Sequence, residues 1–459
     1  MSLNFDMPEF KEWVESWPLL TGVAETDVTV LGCYWATGSA LLKALGPKPG
    51  RSSEQLKIAT LIQDSCRSLR RQFMALHADW LYKSLTKGLT LRKRLDELAF
   101  EAAELCPGLV PSSSQIAEER THLQADKEGF EIDQGLFFHA LLGSPQAGTH
   151  LIESAQQPTD RALSLIESFQ ANGQLDVGTV HIQRRGSAAH LTMNNGHCMN
   201  AEDNQLVDDM ETAVDLALLH RGIHVGVLRG GTMTHPRHVG RRVFSAGINL
   251  KALHAGQISF VDFLLRREIG YMNKIFRGLR LDQEAGEGFK KQPSIKRIEK
   301  PWIAVVESFA IGGGAQMLLI FDRVIAASDS YFSLPAAHEG IVPGFSNLRL
   351  TRFLGGRKSR QVILGGRQIW AHEADAQLLI DEVVSANDLD VAIERSIQDL
   401  DSPAVVANRH MLNLAEEPLS LFLQYAAEFA LVQSERLYSE DVVLKSLNSS
   451  QRSTIRASC

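Results

Sequence analysis

The sequence predicts an α/β protein with helical flanks: an all-helical N-terminal domain, a core of alternating strands and helices, and a helical tail. Three observations predict it. Apolar residues recur at helical spacing through the first 170 or so positions. After Asn172-Gly173 the texture changes to short β-like runs separated by helical patterns. From Pro403 helical spacing returns. The expected domains are 1–172, 173–400 and 401–459, the last a helical oligomerisation segment. A chain of 459 residues is consistent with about three domains of ~150 residues each.

In the first segment, Ser52 and Gln55 form a capping box ahead of a long helix. Its stripe reads Ile62, Cys66, Leu69, Phe73, Leu76 and Trp80, an ordinary packing face, with Arg70, Arg71, Lys83 and Lys87 on the other faces. A second helix spans Leu91–Leu105 and is broken by Pro107, Pro111 and Ser112–Ser114. Gly143–Pro158, rich in Gly, Pro, Ser and Gln, reads as a linker before a helix at Arg161–Gln170. Strands are then expected at Val177–Gln183, Ala188–Met193, Gly222–Leu228, Trp302–Val306 and Arg323–Ala327. Helices are expected at Asp203–His220, Ile258–Leu279, Ser346–Leu354 and Lys358–Leu364. Asp282–Lys300 reads as a polar loop whose Lys290, Lys291, Lys296 and Arg297 are solvated rather than phosphate-binding. In the tail Leu419, Phe422, Tyr425 and Phe429 keep helical spacing, and no internal repeat is visible.

Composition narrows the function. With 47 basic against 54 acidic residues the net charge is −7, which argues against a general nucleic-acid binder. Hydrophobic content of 44% and charged content of 22% argue against wholesale disorder. Cys33, Cys66, Cys106, Cys198 and Cys459 are scattered without a CxxC, so neither a disulfide framework nor a zinc site is expected, and a reducing cytoplasm fits. The start, MSLNFDMPEFKEW, does not read as a signal peptide. Trp302–Phe321 has membrane length but holds Glu307, Gln316 and three glycines, so a strand–loop–helix is expected there.

Two small-residue turns carry chemistry. One is Phe244-Ser245-Ala246-Gly247-Ile248-Asn249-Leu250; the other is Ala310-Ile311-Gly312-Gly313-Gly314-Ala315-Gln316, after a strand and opening an apolar helix. Glycines let the backbone approach a ligand, and a starting helix leaves N–H groups free. Each turn alone is a weak signal. Together they resemble those of the crotonase (enoyl-CoA hydratase/isomerase) superfamily. Glu299-Lys300-Pro301, Asp322-Arg323, Phe332 through Pro335, Val342-Pro343-Gly344 and Leu354-Gly355 support the same register over Val177 to Ser385.

The resemblance implies a ββα spiral core that binds an acyl-CoA. It implies that Ile248 and Gly313 each give one backbone N–H to the thioester oxygen, with Ala246 and Gly312 against the substrate. Such a pair stabilises an enolate as its charge develops, each donor by roughly 3 kcal/mol. The two glutamates of a hydratase of this family fall here on Gln316 and Ala336, which cannot exchange protons usefully near pH 7, so water addition is not expected. His338 and Glu339 lie close by in sequence and could in principle substitute for that pair, with surface or interface polarity as their default reading.

Within the superfamily the chain is similar to a cofactor-independent dioxygenase branch acting on a dihydroxyphenylacetyl thioester in glycopeptide-antibiotic pathways. The similarity rests on the long helical N-terminal segment, the two turns, and Ser333-Leu334-Pro335-Ala336-Ala337-His338-Glu339-Gly340-Ile341. It implies that Glu202, Arg267 and Gln316 hold the ring and that Leu250 and Ile341 border the oxygen pocket. His197 and Lys251 could meet the CoA phosphates. The bland alternatives are a helix-dipole role for Glu202, solvation for Arg267, His197 and Lys251, and core packing for Leu250 and Ile341. The resemblance further implies no metal or other cofactor, no membrane or nucleic-acid partner, and a homotrimer or homohexamer. No base for the first deprotonation is identifiable. A thioester hydrolase, isomerase or decarboxylase and a non-catalytic acyl-CoA binder stay open; a P-loop nucleotide binder is weak, because no Gly-Lys-Ser/Thr follows Gly314.

Overall fold

The computed structural model describes residues 8–282 and 295–445. Helices fill the chain up to Asn172. Ser53–Leu85 is the longest, and it opens on the expected box: Gln55 N donates to Ser52 Oγ (3.2 Å) and Ser52 N donates to Gln55 Oε1 (2.9 Å). Its buried face departs from the expected stripe after Phe73. Leu76 is exposed and Trp80 half-buried; His77 and Leu81 take the face instead. A four–three alternation advances 3.5 residues per turn, so on a straight helix of 3.6 the stripe walks off the buried side.

The second helix begins at Leu95, with Arg94 as its N-cap residue, and Ser112 then caps a further helix, Ser113–Glu119. The expected linker is not one: Pro145–Ala155 is a helix, buried along Ala147, Leu151 and Ile152. Ser144 caps it by accepting from Ala147 N, and Pro145 sits in its first turn, so the Ser-Pro composition marks a helix start here. Helix Asp160–Asn172 ends on left-handed Gly173, where the strands begin.

Seven strands form one sheet whose spatial order follows the chain: Gln174–Asp176, Val180–Arg185, Ala188–Met193, Val225–Gly230, Trp302–Val306, Arg323–Ala327 and Glu382–Val384. The first three pair antiparallel and the rest parallel. Three strands match expectation end to end; Val180 and Val225 start later than expected. Side chains alternate between two buried faces. Ala188, Val225, Val227, Ile303, Val305 and Ile325 pack on Leu389–Leu400; Leu191, Leu228, Ala304 and Val324 face a core continuous with the N-terminal helices.

A three-stranded sheet, Phe309–Ile311 and Ile369–Trp370 flanking Tyr331–Ser333, carries the second glycine turn. The Trp302–Phe321 window resolves into strand, strand and short helix, and no helix among the described residues is long and apolar enough to cross a membrane. Leu279–Asp282 pairs antiparallel with Ile295–Ile298, so the expected polar loop is partly strand. Lys296 and Arg297 are exposed on it, whereas Lys290 and Lys291 lie outside the described residues.

The expected helix Ile258–Leu279 is three pieces: a π-helical turn Phe260–Leu265, then Arg266–Ile269 and Tyr271–Arg277, with the break at Gly270. Ser346–Ile363 runs as one element kinked at Gly355, whose φ of +67° interrupts the helix between the two expected segments. The tail forms Pro403–Glu416 and Leu419–Leu437. Leu419–Leu437 buries Phe422, Ala426, Phe429 and Ala430 within its own chain, chiefly along Glu131–Gly143.

Candidate active site

The site forms where the two glycine turns meet. Strand pairing brings them together: Ile311 N donates to Ser245 O (2.9 Å) beside the Ser245–Ala310 bridge, and Gly312 N donates to Ser333 O (2.8 Å). The first turn is also stitched to residue 202. Glu202 N donates to Gly247 O (2.7 Å) and Asn249 N donates to Glu202 O (2.8 Å). Gly247 (φ +84°) and Gly312 (φ +53°) adopt conformations that only glycine takes readily. A Cβ on Gly247 would stand 3.1 Å from Gly313 N, so the turns are in contact. The hydrogen bonds at the 202–248 bridge use the amides of Glu202 and Asn249. Among the described residues neither Ile248 N nor Gly313 N has an acceptor, and both residues line one cleft.

The cleft holds about 680 Å³ of space counted out to its open mouth. Of the residues expected at the site, Glu202, Ala246, Ile248, Leu250, Arg267, Gly312, Gly313, Gln316 and Ile341 all line it. His197 and Lys251 do not; both are exposed. Lys251 lies close enough to His235 to act with burial and Arg237 in pushing that imidazole below its ordinary value.

Arg267 is the hub. It is 3% exposed, not solvated, and Glu202 is 1% exposed, not displayed at a helix start. Arg267 Nε and Nη2 clamp the Glu202 carboxylate. Nη1 donates to Glu268 Oε1 (2.5 Å) and Gln316 Oε1 (2.9 Å), and Nη2 to Gly313 O (2.7 Å). The Gln316 carbonyl is thereby committed, which leaves its amide N–H groups to donate. Burial works against the charge of Arg267, but Glu202 foremost, with Tyr271 and Glu268, holds it firmly protonated. Burial raises the Glu268 carboxyl above its usual range in spite of Arg267 and Arg349.

Sequence reasoning missed Glu268, Tyr271, Arg349 and Glu417. Tyr271 hydroxyl reaches Glu202 Oε2 at 3.5 Å and its ring lies under Arg267. Arg349 Nε donates to Glu417 Oε2 (3.0 Å) and its Nη1 stands 4.0 Å from Glu268. The available signal was the charged run Arg266-Arg267-Glu268 inside an apolar segment. The π-helical turn, a device common at functional sites, precedes that run and turns Arg267 and Glu268 inward. Among the described residues no group of three or more His, Cys, Asp or Glu gathers as a metal site needs.

The family pattern described as enoyl-CoA hydratase/isomerase matches residues 273–446, and the chain belongs to that family. More particularly, it is 52% identical over 405 residues, 88% of this chain and 92% of the relative, to (3,5-dihydroxyphenyl)acetyl-CoA 1,2-dioxygenase of Amycolatopsis orientalis. A probable enoyl-CoA hydratase of Rhizobium meliloti is 27% identical over 46% of this chain and 70% of its own. Among solved structures, an enoyl-CoA hydratase/isomerase of Xanthobacter autotrophicus Py2 superposes with a TM-score of 0.48 at 23% identity, covering 61% of this chain and 95% of that one.

Proposed function

We propose that this protein is a metal- and cofactor-independent dioxygenase that converts (3,5-dihydroxyphenyl)acetyl-CoA and dioxygen to 3,5-dihydroxyphenylglyoxylate and free CoA. The observation that carries the reading is the pair of unaccepted amides, Ile248 N and Gly313 N, on one cleft with the buried Glu202–Arg267–Gln316 constellation. The extensive identity to the A. orientalis dioxygenase supports the substrate and the reaction; the place in dihydroxyphenylglycine biosynthesis for glycopeptide antibiotics follows from the sequence resemblance alone.

In this reading the benzylic C–H, acidified by ring and thioester, is removed. The two amides hold the enolate oxygen where its charge develops. Gln316 N–H and the Glu202–Arg267 pair receive the ring hydroxyls; their mutual hydrogen bonds preorganise them at little further ordering cost. Leu250 and Ile341, with Phe263 and Val342, wall an apolar space for dioxygen. The enolate reduces dioxygen; the peroxide formed at the α-carbon attacks the thioester carbonyl and expels CoA, and loss of the remaining α-proton to solvent drives O–O cleavage to the ketone and carboxylate. Both oxygen atoms stay in the keto acid. Hydration is disfavoured because Gln316 and Ala336 occupy the positions of an acid–base pair. His197 and Lys251, exposed outside the cleft, serve the CoA phosphates, and residues 401–459 contribute to a homotrimer or homohexamer in the cytoplasm.

The test is oxygen-electrode and mass analysis with 3,5-dihydroxyphenylacetyl-CoA in chelator-treated buffer. One dioxygen consumed per CoA released, with both labels of ¹⁸O₂ in the product, is expected. CoA release without dioxygen, or activity restored only by iron, contradicts the proposal.

A further inference from the structure

We propose that Glu339 is the base that takes the benzylic proton; this rests on the dioxygenase reading above and supplies the step that reading leaves without a residue. The cleft is lined by four ionisable side chains among the described residues: Glu202, Arg267, Glu268 and Glu339. Three of them are one salt-bridged unit. Glu202 and Glu268 both clamp Arg267, and Glu268 also faces Arg349. Both Glu202 oxygens accept from Arg267, and Glu268 Oε1 accepts from Arg267 while its Oε2 accepts from Phe345 N (3.3 Å), so neither residue has a carboxylate oxygen free of a protein donor. Glu339 makes no side-chain hydrogen bond or ion pair with any described residue, so its lone pairs are available.

Local structure holds it there. Glu339 ends the short turn Ala336–Glu339; its N–H donates to Pro335 O (3.1 Å), and Ile341 N donates back to Ala336 O (3.0 Å). Ala336, at the other end of this turn, lines the same cleft and carries only a methyl group. His338 is not the candidate. It is absent from the cleft lining, and its ring packs over Gly366, where a Cβ would fall 2.4 Å from Cε1.

The charged surroundings suit a base. Burial raises the Glu339 carboxyl above the ordinary glutamate range, against a smaller pull from Lys445 and His338. Arg436 and Asp441, beyond Gly340, are paired with one another at 2.6 Å. Across the cleft Glu268 is tied to Arg267. A half-buried carboxylate with a raised pKa accepts a proton more readily than a solvated one.

The step balances as follows. A Glu339 Oε takes the proton; the C–H electron pair becomes the enolate C=C; and the carbonyl π pair moves to the oxygen facing Ile248 and Gly313. After dioxygen has reacted, Glu339 returns the proton to the departing CoA thiolate.

Deprotonation can be read apart from oxygen chemistry. Under nitrogen in D₂O, wild-type protein with 3,5-dihydroxyphenylacetyl-CoA is expected to exchange the benzylic hydrogens, with an acid limb in its pH profile above the usual glutamate range. E339Q is expected to slow exchange 10²- to 10⁴-fold, the range of general-base catalysis, and to lose the acid limb with KM nearly unchanged. E339D, which keeps a carboxylate one methylene shorter, should retain slow exchange. E339Q exchange within threefold of wild type, or an unaltered acid limb, overturns the assignment. Wild-type protein that neither exchanges nor consumes dioxygen overturns the dioxygenase reading instead.

Discussion

Arg267 shows how a single side chain sets the character of this cleft. Its planar fork satisfies two buried carboxylates, one amide carbonyl and one backbone carbonyl at once. Lysine offers one rotatable cation and cannot copy that geometry. R267K is therefore expected to cut kcat/KM at least 100-fold and to destabilise the fold by about 3–5 kcal/mol, the cost of breaking a buried pair; steady-state kinetics and thermal melts check both. Gly344 is as tightly specified. Its φ is +46°, and a Cβ there would stand 2.3 Å from Glu268 Oε1 and 2.4 Å from Gln316 Oε1. G344A should thus displace the Gln316 amide proposed to bind the ring, raising KM and lowering kcat together. Unchanged kinetics would show that Gln316 has no such role.

At the scale of elements, the broken segment from Phe260 to Arg277 builds the polar end of the cleft, and Glu417 anchors it from the tail. That fully buried carboxylate meets Arg277, Arg349 and Arg352 at 3.1, 3.0 and 3.1 Å, and Arg349 faces Glu268 in turn. E417Q leaves three guanidinia sharing a neutral partner, so a stability loss of about 3–5 kcal/mol is expected by denaturant titration. The same elements show what a sequence can disclose. Ala188–Met193, Trp302–Val306 and Arg323–Ala327 were legible to the residue because strands buried on both sides read as continuous apolar runs. The two glycine turns were legible because few other residues tolerate their geometry. The π-helical turn Phe260–Leu265 was not, since an i→i+5 turn leaves no mark in a 3.6-residue pattern. Glu268, Arg349 and Glu417 become neighbours only through long-range packing, and Glu339 stands out only once every other ionisable group in the cleft is seen to be paired.

At the scale of the whole molecule, one apolar core runs from the N-terminal helices into the cleft side of the sheet. Glu131–Gly143 packs on Leu419–Leu437, so the helical start and the tail complete each other. Residues 1–172 expressed alone are accordingly expected to lack a cooperative melt, as judged by calorimetry. The N-terminal helices also carry an acid-sensitive tie. Burial alone would raise the Asp27 carboxyl, but hydrogen bonds from Thr21, His77 and Gly22 outweigh it and lower the pKa to about 2. A folded value below the unfolded 3.8 gives stability that is present above about pH 4 and lost between there and about 2. D27N should lower the Tm at pH 7, and the difference should shrink over that window. The account as a whole depends on two main-chain donors meeting one oxygen. A crystal structure with an unreactive arylacetyl-CoA analogue tests this most directly: Ile248 N and Gly313 N should each lie at about 3 Å from the carbonyl oxygen. An oxygen bound elsewhere, or held by only one of the two, would contradict it.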